Sequence, residues 1–201
     1  LQNALTRNEV DEIALDRALA VSAERSMSHQ LDDWAATNQK QSGRCWLFAG
    51  LNLLRVGAAR KMDLAEFEFS QNHLLFWDKL EKANFWLEGV IATYGRAVND
   101  RTVAYLIANP IDDGGQWNMF VALVRKHGLV PKAAMPETVA SSSTRQLNRD
   151  LKTVLRQAGR DLRQQAATGA SVDDLRDQKD ATLQTIHRML EWVPGGDPGF
   201  G

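Results

Sequence analysis

The stretch TNQKQSGRCWLFAGLNLL, residues 37–54, places the only cysteine of the chain between a polar loop and an apolar run. Amide, glycine and cationic side chains precede Cys45, and apolar side chains recur after it at helical spacing. The spacing predicts a central, buried helix over residues 46–60, with Cys45 at its first turn. The apolar positions behind this prediction are Trp46, Leu47, Leu51, Leu54 and Ala58.

A cysteine at the first turn of a helix has a chemical consequence. Unpaired backbone N–H groups and the positive end of the helix dipole stabilise a thiolate, which is a nucleophile. Gly43 permits close backbone approach by a substrate, and Gln39 on the same loop can bring an amide N–H beside the Cys45 N–H. Two donors aimed at one point form an oxyanion hole. The alternative is a cysteine that only fills space, because cysteine is among the most buried residue types.

The composition favours a soluble globular protein. The chain has 201 residues, of which 44% are hydrophobic and 24% charged, and its formal net charge is -1. Basic residues are spread along the chain, so neither nucleic acid nor a membrane surface is favoured as a partner. A single cysteine cannot form an intramolecular disulfide, and we therefore expect a protein of the reducing cytoplasm.

The two ends of the chain lead to a further expectation. The opening LQNALTRNEV is unlike a signal peptide, and no apolar run approaches the roughly 18 residues that a membrane span needs. Because the chain lacks an initiator Met and ends in GGDPGFG, we expect it to be a piece of a longer protein.

Helix signals recur along the first two thirds of the chain. Thr6 is a candidate cap for a first helix, and Ser70 is a candidate cap for a long segment that Gly95 ends. The run RTVAYLIANP stops at Pro110, and QWNMFVALVRKHG stops at Gly128. Between these two runs, IDDGG predicts a turn.

The composition changes after residue 140. Only Trp192 and Phe200 are aromatic beyond this point, and two apolar stripes flank the break ATGAS. This pattern predicts a hairpin of two amphipathic helices. The predicted domains are therefore residues 1–140, with the cysteine loop, and a helical insertion over residues 141–201.

Four blocks carry a resemblance to a known family. The block NQKQSGRCWLFAGLNLLR resembles the nucleophile segment of papain-like cysteine peptidases, except that Ser42 replaces a cysteine and Arg44 a small residue. At both positions the chain instead resembles the bleomycin hydrolase and aminopeptidase C family, whose members carry SGRCW at the nucleophile. The stretches EFEFSQNHLLFWDKLEKANFWLE, NPIDDGGQWNMFVALVRKHGLVPKAAMPE and SSSTRQLN resemble that family in order and spacing. His73 and Asn118 depart from it, where tyrosine and aspartate are usual.

The resemblance implies an α+β, papain-like fold, of which this chain contains mainly the helical half. It implies Cys45 as the nucleophile and Gln39 as the oxyanion donor, with Trp46 packed beside them. It also implies that Gly114 and Gly115 form an edge that binds the substrate backbone. From the residues alone, this glycine pair is also consistent with an ordinary turn.

The resemblance further implies a cytoplasmic thiol aminopeptidase. Its substrates would be peptides with a free N-terminus, it would need no metal or other cofactor, and it would assemble as a homohexamer. Three alternatives remain open: a non-catalytic scaffold or oligomeric binding protein, a binder of nucleic acid, and a papain-like endopeptidase.

None of the histidines in the sequence is a convincing general base. A thiol peptidase needs a histidine oriented by Asn or Asp. His187 falls within the window of about 130–150 residues after the nucleophile, but it lies in a helical pattern and no Asn follows it. His29, His73 and His127 suit a polar loop, helix packing and a helix end, respectively. We expect the base and its orienter in a C-terminal half outside this chain, and the fragment itself to be inactive.

Overall fold

Two short helices begin the part of the chain that the computed structural model describes, residues 6–22 and 36–192. Helix α1 spans Val10–Ala14 and helix α2 spans Arg17–Ser22. The N-cap of α1 is Glu9, so the predicted cap at Thr6 is wrong. A capping side chain serves N–H groups two or three residues further on, and Thr6 lies too far from the first turn. Of the described residues, 6–22 belong to one compact unit and 36–192 to another.

The second unit contains the predicted helix that begins at the cysteine. Helix α3 spans Cys45–Met62, and its start and length confirm the prediction. Only one face is buried, however, because Leu53 is 59% exposed and Leu54 is 36% exposed. The helix is therefore not enclosed on all sides in this structure.

Helix α4, Gln71–Ala92, has 22 residues. Ser70 caps it as predicted, since the Oγ atom accepts the N–H of His73 at 3.0 Å. The helix ends at Thr93 rather than at Gly95. The Thr93 hydroxyl donates to the carbonyl of Gly89 at 2.7 Å and thereby satisfies a group of the last turn.

Helices α5, Arg101–Ala108, and α6, Trp117–His127, follow as the sequence predicts. The carboxylate of Asp100 caps α5 by accepting two backbone N–H groups. Gly128 ends α6 with a φ of 69°, a conformation that favours glycine. The end of α6 at a glycine is thus confirmed.

A short helix and a long hairpin complete the described chain. Helix α7 spans Val139–Ser142, where the sequence analysis proposes no helix, and Thr138 and Ser141 cap it reciprocally. Helices α8, Arg145–Ala167, and α9, Val172–Trp192, form the predicted pair of long helices around the break. The predicted boundary near residue 140 remains a prediction.

The described residues contain isolated bridges and no β-strand. Gln41 pairs with Ser143 in parallel, and Phe69 pairs with Pro131 in antiparallel orientation. In these same residues, no helix is both long and apolar enough to cross a bilayer.

Two hydrophobic clusters hold the second unit together. The smaller one joins α3, α4 and α6 directly behind the cysteine and contains Leu47, Leu51, Leu74, Phe120 and Leu123. The larger one packs the hairpin against α4. Within it, Trp86 of α4 lies against Gly159 of α8, where an added Cβ would come within 2.5 Å of the indole ring.

We predict that Gly159→Ala destabilises the protein by about 1–3 kcal/mol, because it overpacks the Trp86 contact. The ring is fixed, since its Nε1–H donates to the carbonyl of Leu106 at 2.7 Å. Gly57→Ala is the matched control, because a Cβ there meets nothing within 4 Å, and it should stabilise α3 by up to about 1 kcal/mol. Urea unfolding of both variants is the measurement. Equal stabilisation by both would contradict the prediction.

Candidate active site

Cys45 is the first residue of α3 and is exposed to solvent. The residue before it, Arg44, is the N-cap and has non-helical backbone angles. The thiol therefore lies at the positive end of a helix of 18 residues, whose first N–H groups have no intrahelical partner. This is the placement that the sequence predicts.

Arg44 is buried directly beneath this turn, with 1% of its surface exposed. Its two terminal nitrogens donate to both carboxylate oxygens of Glu137, at 2.8 and 2.7 Å. Its Nε donates to Ser42 Oγ at 2.9 Å, and its guanidinium lies 5.0 Å from the centre of the Phe48 ring. The hydroxyl of Ser141 also donates to Glu137. The two departures from the papain pattern, Ser42 and Arg44, are therefore parts of one hydrogen-bonded network.

Gln39 is half-buried on the loop that precedes Cys45. Its side-chain Nε2 donates to the carbonyl of Ser42 at 2.8 Å, and the Ser42 hydroxyl donates back to the carbonyl of Gln39 at 2.6 Å. A side-chain amide carries two N–H groups, and the Ser42 carbonyl needs one of them. The loop thus holds the Gln39 amide against the carbonyl of Ser42, which lies three residues before the cysteine. The oxyanion role of Gln39 remains a prediction.

Asp113 joins the cysteine loop to the predicted substrate edge. Its Oδ2 accepts the backbone N–H of Gly43 at 3.1 Å, and its main-chain carbonyl accepts the indole Nε1–H of Trp46 at 2.7 Å. A Cβ at position 43 would lie 2.7 Å from the Cβ of Asp113. Gly43 is therefore needed because Asp113 packs against it.

The predicted edge, Gly114 and Gly115, lies beside Trp46. A Cβ at Gly115 would come within 2.4 Å of the indole ring, whereas a Cβ at Gly114 would meet nothing within 4 Å. The carbonyl of Gly114 accepts the ammonium of Lys82 at 2.6 Å. The structure thus brings Gly43, Trp46 and Gly115 together. The close contact with the Trp46 ring is by itself enough to require a glycine at position 115.

Buried charges support this edge. Burial would raise the pKa of Asp113, but the nearby Lys79 ammonium and hydrogen bonds from Lys79, Thr144 and Asn148 hold the pKa well below its usual range. Burial lowers the pKa of Lys79, while the negative charges of Asp113 and Asp78 oppose this shift. Asp113 is therefore ionised, and Lys79 is its buried counter-ion at 2.6 Å.

The described histidines have partners elsewhere in the fold. His73 is buried and its Nε2 contacts the carbonyl of His127, while His127 Nε2 lies 2.9 Å from Glu81 Oε1. His187 lies in α9, where its Nδ1 is 3.2 Å from Glu191. His29 lies outside the described residues. Each described histidine thus has a partner of its own, and the absence of a general base among them stays a prediction.

Sequence reasoning did not find the residues that hold the site in place. Lys79, Lys82, Glu137 and Thr144 are distant from Cys45 in the chain; they lie in stretches that resemble the family, but the sequence assigns none of them a role at the site. One signal was available: Lys79 lies in the apolar segment LLFWDKLEKANFW, and a lysine among buried positions needs a counter-ion. The identity of that counter-ion depends on the tertiary fold.

Comparison with known proteins identifies the family of the chain. The chain matches the Peptidase C1-like family over residues 1–199. It therefore belongs to this family of papain-like cysteine peptidases. Aminopeptidase C of Lactobacillus delbrueckii subsp. lactis is 40% identical over 196 residues, and bleomycin hydrolase of Rattus norvegicus is 37% identical over 201 residues. The resemblance to the bleomycin hydrolase and aminopeptidase C family is confirmed.

A solved structure shows the same fold over this region. The crystal structure of PepW from Lactobacillus rhamnosis aligns with a TM-score of 0.91 at 41% identity. Each of these three alignments covers 98% of this chain and 44% of the other protein. The chain thus spans less than half the length of the relatives that it matches.

We predict that Glu137→Gln destabilises the protein by about 3–5 kcal/mol, because it leaves the charge of buried Arg44 without its partner. Glu68→Gln is the matched control, since Glu68 pairs with a lysine, Lys132, that is 46% exposed, and it should cost about 1 kcal/mol or less. Urea unfolding at neutral pH measures both. Similar losses in the two variants would show that the Arg44 pair acts as an ordinary surface pair.

Asp78 gives a prediction on pH. Burial raises its pKa to about 6 from an ordinary value of 3.8, against the opposing charges of Lys82 and Lys79. The folded state therefore holds the proton more tightly, and the contribution of Asp78 to stability falls by about 3 kcal/mol as pH rises from about 4 to about 6. Asp78→Asn cannot ionise, so its free energy of unfolding should rise relative to the parent over this range. Urea unfolding at several pH values tests this, and a constant difference would refute it.

Proposed function

We propose that the full-length protein is a cysteine aminopeptidase. It hydrolyses the first peptide or amide bond of substrates that have a free N-terminus. The observation that carries the proposal is an exposed cysteine at the start of α3, held next to a glycine edge by Asp113 and Trp46. The relatives named aminopeptidase C and bleomycin hydrolase support the same activity.

The reaction begins with the Cys45 thiolate. Its sulfur attacks the carbonyl carbon of the first substrate residue, and a C–S bond forms while the carbonyl oxygen becomes an oxyanion. The Cys45 N–H and the amide of Gln39 stabilise this oxyanion. A histidine protonates the departing amine as the C–N bond breaks, and water then hydrolyses the thioester.

The complete fold would be α+β. The histidine and the group that orients it would lie in a β-rich half encoded beyond this chain. Without these groups, the fragment would be inactive. The proposal also includes assembly of the full-length protein as a homohexamer and its location in the cytoplasm. Both rest on the resemblance to the family.

The direct test uses an aminoacyl fluorogenic amide and the full-length protein. Turnover should be at least about 1000-fold lower in Cys45→Ser, because the alcohol is a poor nucleophile without this thiol-specific activation. N-terminal acetylation of the substrate should abolish cleavage, and the fragment of 201 residues alone should show none. Cleavage of acetylated peptides would instead indicate an endopeptidase. No cleavage of either substrate by a protein whose thiol reacts with iodoacetamide would favour a non-catalytic scaffold.

A further inference from the structure

The two halves of the proposed site are far apart in the chain and meet at one side chain. Gly43, on the cysteine loop, and Asp113, next to the glycine edge, are separated by 70 positions. The backbone N–H of Gly43 donates to the Asp113 carboxylate, and the Trp46 indole donates to the Asp113 carbonyl. Asp113 therefore contacts the cysteine loop through both its side chain and its main chain.

The Asp113 carboxylate is held from four directions. Oδ2 accepts from Gly43 N at 3.1 Å and from Thr144 Oγ1 at 2.6 Å, and Oδ1 accepts from Lys79 Nζ at 2.6 Å and from Asn148 Nδ2 at 2.8 Å. An ionised carboxylate has about four acceptor positions. The donors come from the cysteine loop, α4, the N-cap of α8 and α8 itself, so the carboxylate cannot rotate without losing hydrogen bonds.

The main chain of the edge is fixed by the same elements. The carbonyl of Asp112 accepts from Lys79 at 2.6 Å and from Lys82 at 3.2 Å, and the carbonyl of Gly114 accepts from Lys82 at 2.6 Å. Within residues 6–22 and 36–192, Gly115 makes no such hydrogen bond through its main chain. Its backbone groups are thus available for an extended ligand, while the residues before it are immobilised.

We propose that Asp113 is a positioning residue that sets the alignment between the Cys45 thiol and the substrate edge at Gly115. Lys79 orients it by donating to Oδ1, and Thr144 orients it by donating to Oδ2. The proposal rests on the aminopeptidase function proposed above. It assigns to Asp113 no contact with the reacting atoms.

The physical argument is one of distance. A substrate bound along Gly115 reacts only if its carbonyl carbon lies within about 3–3.5 Å of the sulfur, and a displacement of about 1 Å costs roughly 100-fold in rate. Loss of the hydrogen bonds of the Asp113 carboxylate should leave substrate binding to the edge and the intrinsic reactivity of the thiol nearly unchanged. It should lower the rate at which a bound substrate reaches that thiol.

The first test uses the full-length protein and two reagents that alkylate Cys45. The rate of alkylation by iodoacetamide measures the reactivity of the thiol alone. Leucyl chloromethyl ketone reports a ligand aligned on the edge, because the thiolate displaces chloride and an S–C bond forms only when the ligand is seated. In Asp113→Asn, which keeps the shape but turns one acceptor into a donor, the ratio of the two alkylation rates should fall about 10-fold or more. The iodoacetamide rate should stay within about twofold.

Turnover supplies a second readout on the same variant. With an aminoacyl amide, kcat per titrated thiol should fall about 10-fold to 100-fold, with KM within about threefold. Normalisation to titrated thiol removes any loss of folded protein. An unchanged alkylation ratio with unchanged kcat per thiol would show that Asp113 only stabilises the fold. A parallel fall of both alkylation rates would show that it acts on the thiol itself. Either result overturns the proposal.

Thr144 offers a variant that keeps the buried ion pair. Thr144→Val removes one of the two donors to Oδ2, and Thr144→Ser keeps a hydroxyl at the same position. The alkylation ratio should fall about threefold or more in Thr144→Val and recover in Thr144→Ser. Equal ratios in the two variants would contradict the proposal even if Asp113→Asn does not fold.

The alkylation ratio also separates this proposal from the proposed function. If the parent protein turns over no aminoacyl amide, the aminopeptidase function fails. The chloromethyl ketone and iodoacetamide rates still measure the alignment of the thiol with the edge. A ratio that is insensitive to Asp113 in an active enzyme would overturn the positioning role alone.

Discussion

A buried ion pair between Lys79 and Asp113 is the interaction on which the site depends. Lys79 has no exposed side-chain surface, and its ammonium lies 2.6 Å from the carboxylate. A buried cation is tolerated only where a counter-ion and further hydrogen bonds replace water. Asp113 supplies the charge, and the carbonyl of Asp112 supplies a second acceptor. The long central helix α4 thereby fixes a loop that would otherwise have few constraints.

The cysteine loop is held by a second network of the same kind. The papain-like pattern has a cysteine at the position of Ser42. Here the Ser42 hydroxyl contacts Gln39 and Arg44, and Arg44 forms a bidentate pair with Glu137. Charge-assisted, bidentate hydrogen bonds are directional. They can therefore order the loop without a covalent bond, which suits a chain with a single thiol.

Much of the helical architecture could be predicted from the sequence because it depends on local signals. Ser70 as a cap, Gly128 as a stop and the apolar stripes of α8 and α9 all act over a few residues. Helix α7 was missed, since its cap consists only of Thr138 and Ser141 in a serine-rich segment. The first cap was misplaced because a polar side chain at Thr6 looks the same in sequence whether or not a helix follows at once.

The site was predictable only in part, for a physical reason. Cys45, Gln39 and Trp46 lie within one continuous motif, so their placement follows from a helix start. The partners Lys79, Glu137 and Thr144 act across the fold, and their roles depend on tertiary contacts that spacing does not encode. The glycine edge illustrates the difference: the pair was recognised from its motif, but the steric demand of Trp46 on Gly115 became visible only in the structure.

The exposure of Cys45 has a consequence for the redox chemistry of the protein. A solvent-accessible thiol is open to peroxide, which converts it first to a sulfenic acid and then irreversibly to the sulfinic acid. The 201 residues contain no second cysteine that could trap the first product as an internal disulfide. Within these residues, recovery of the sulfenic acid therefore depends on an external thiol such as glutathione, and further oxidation to the sulfinic acid would block Cys45 permanently.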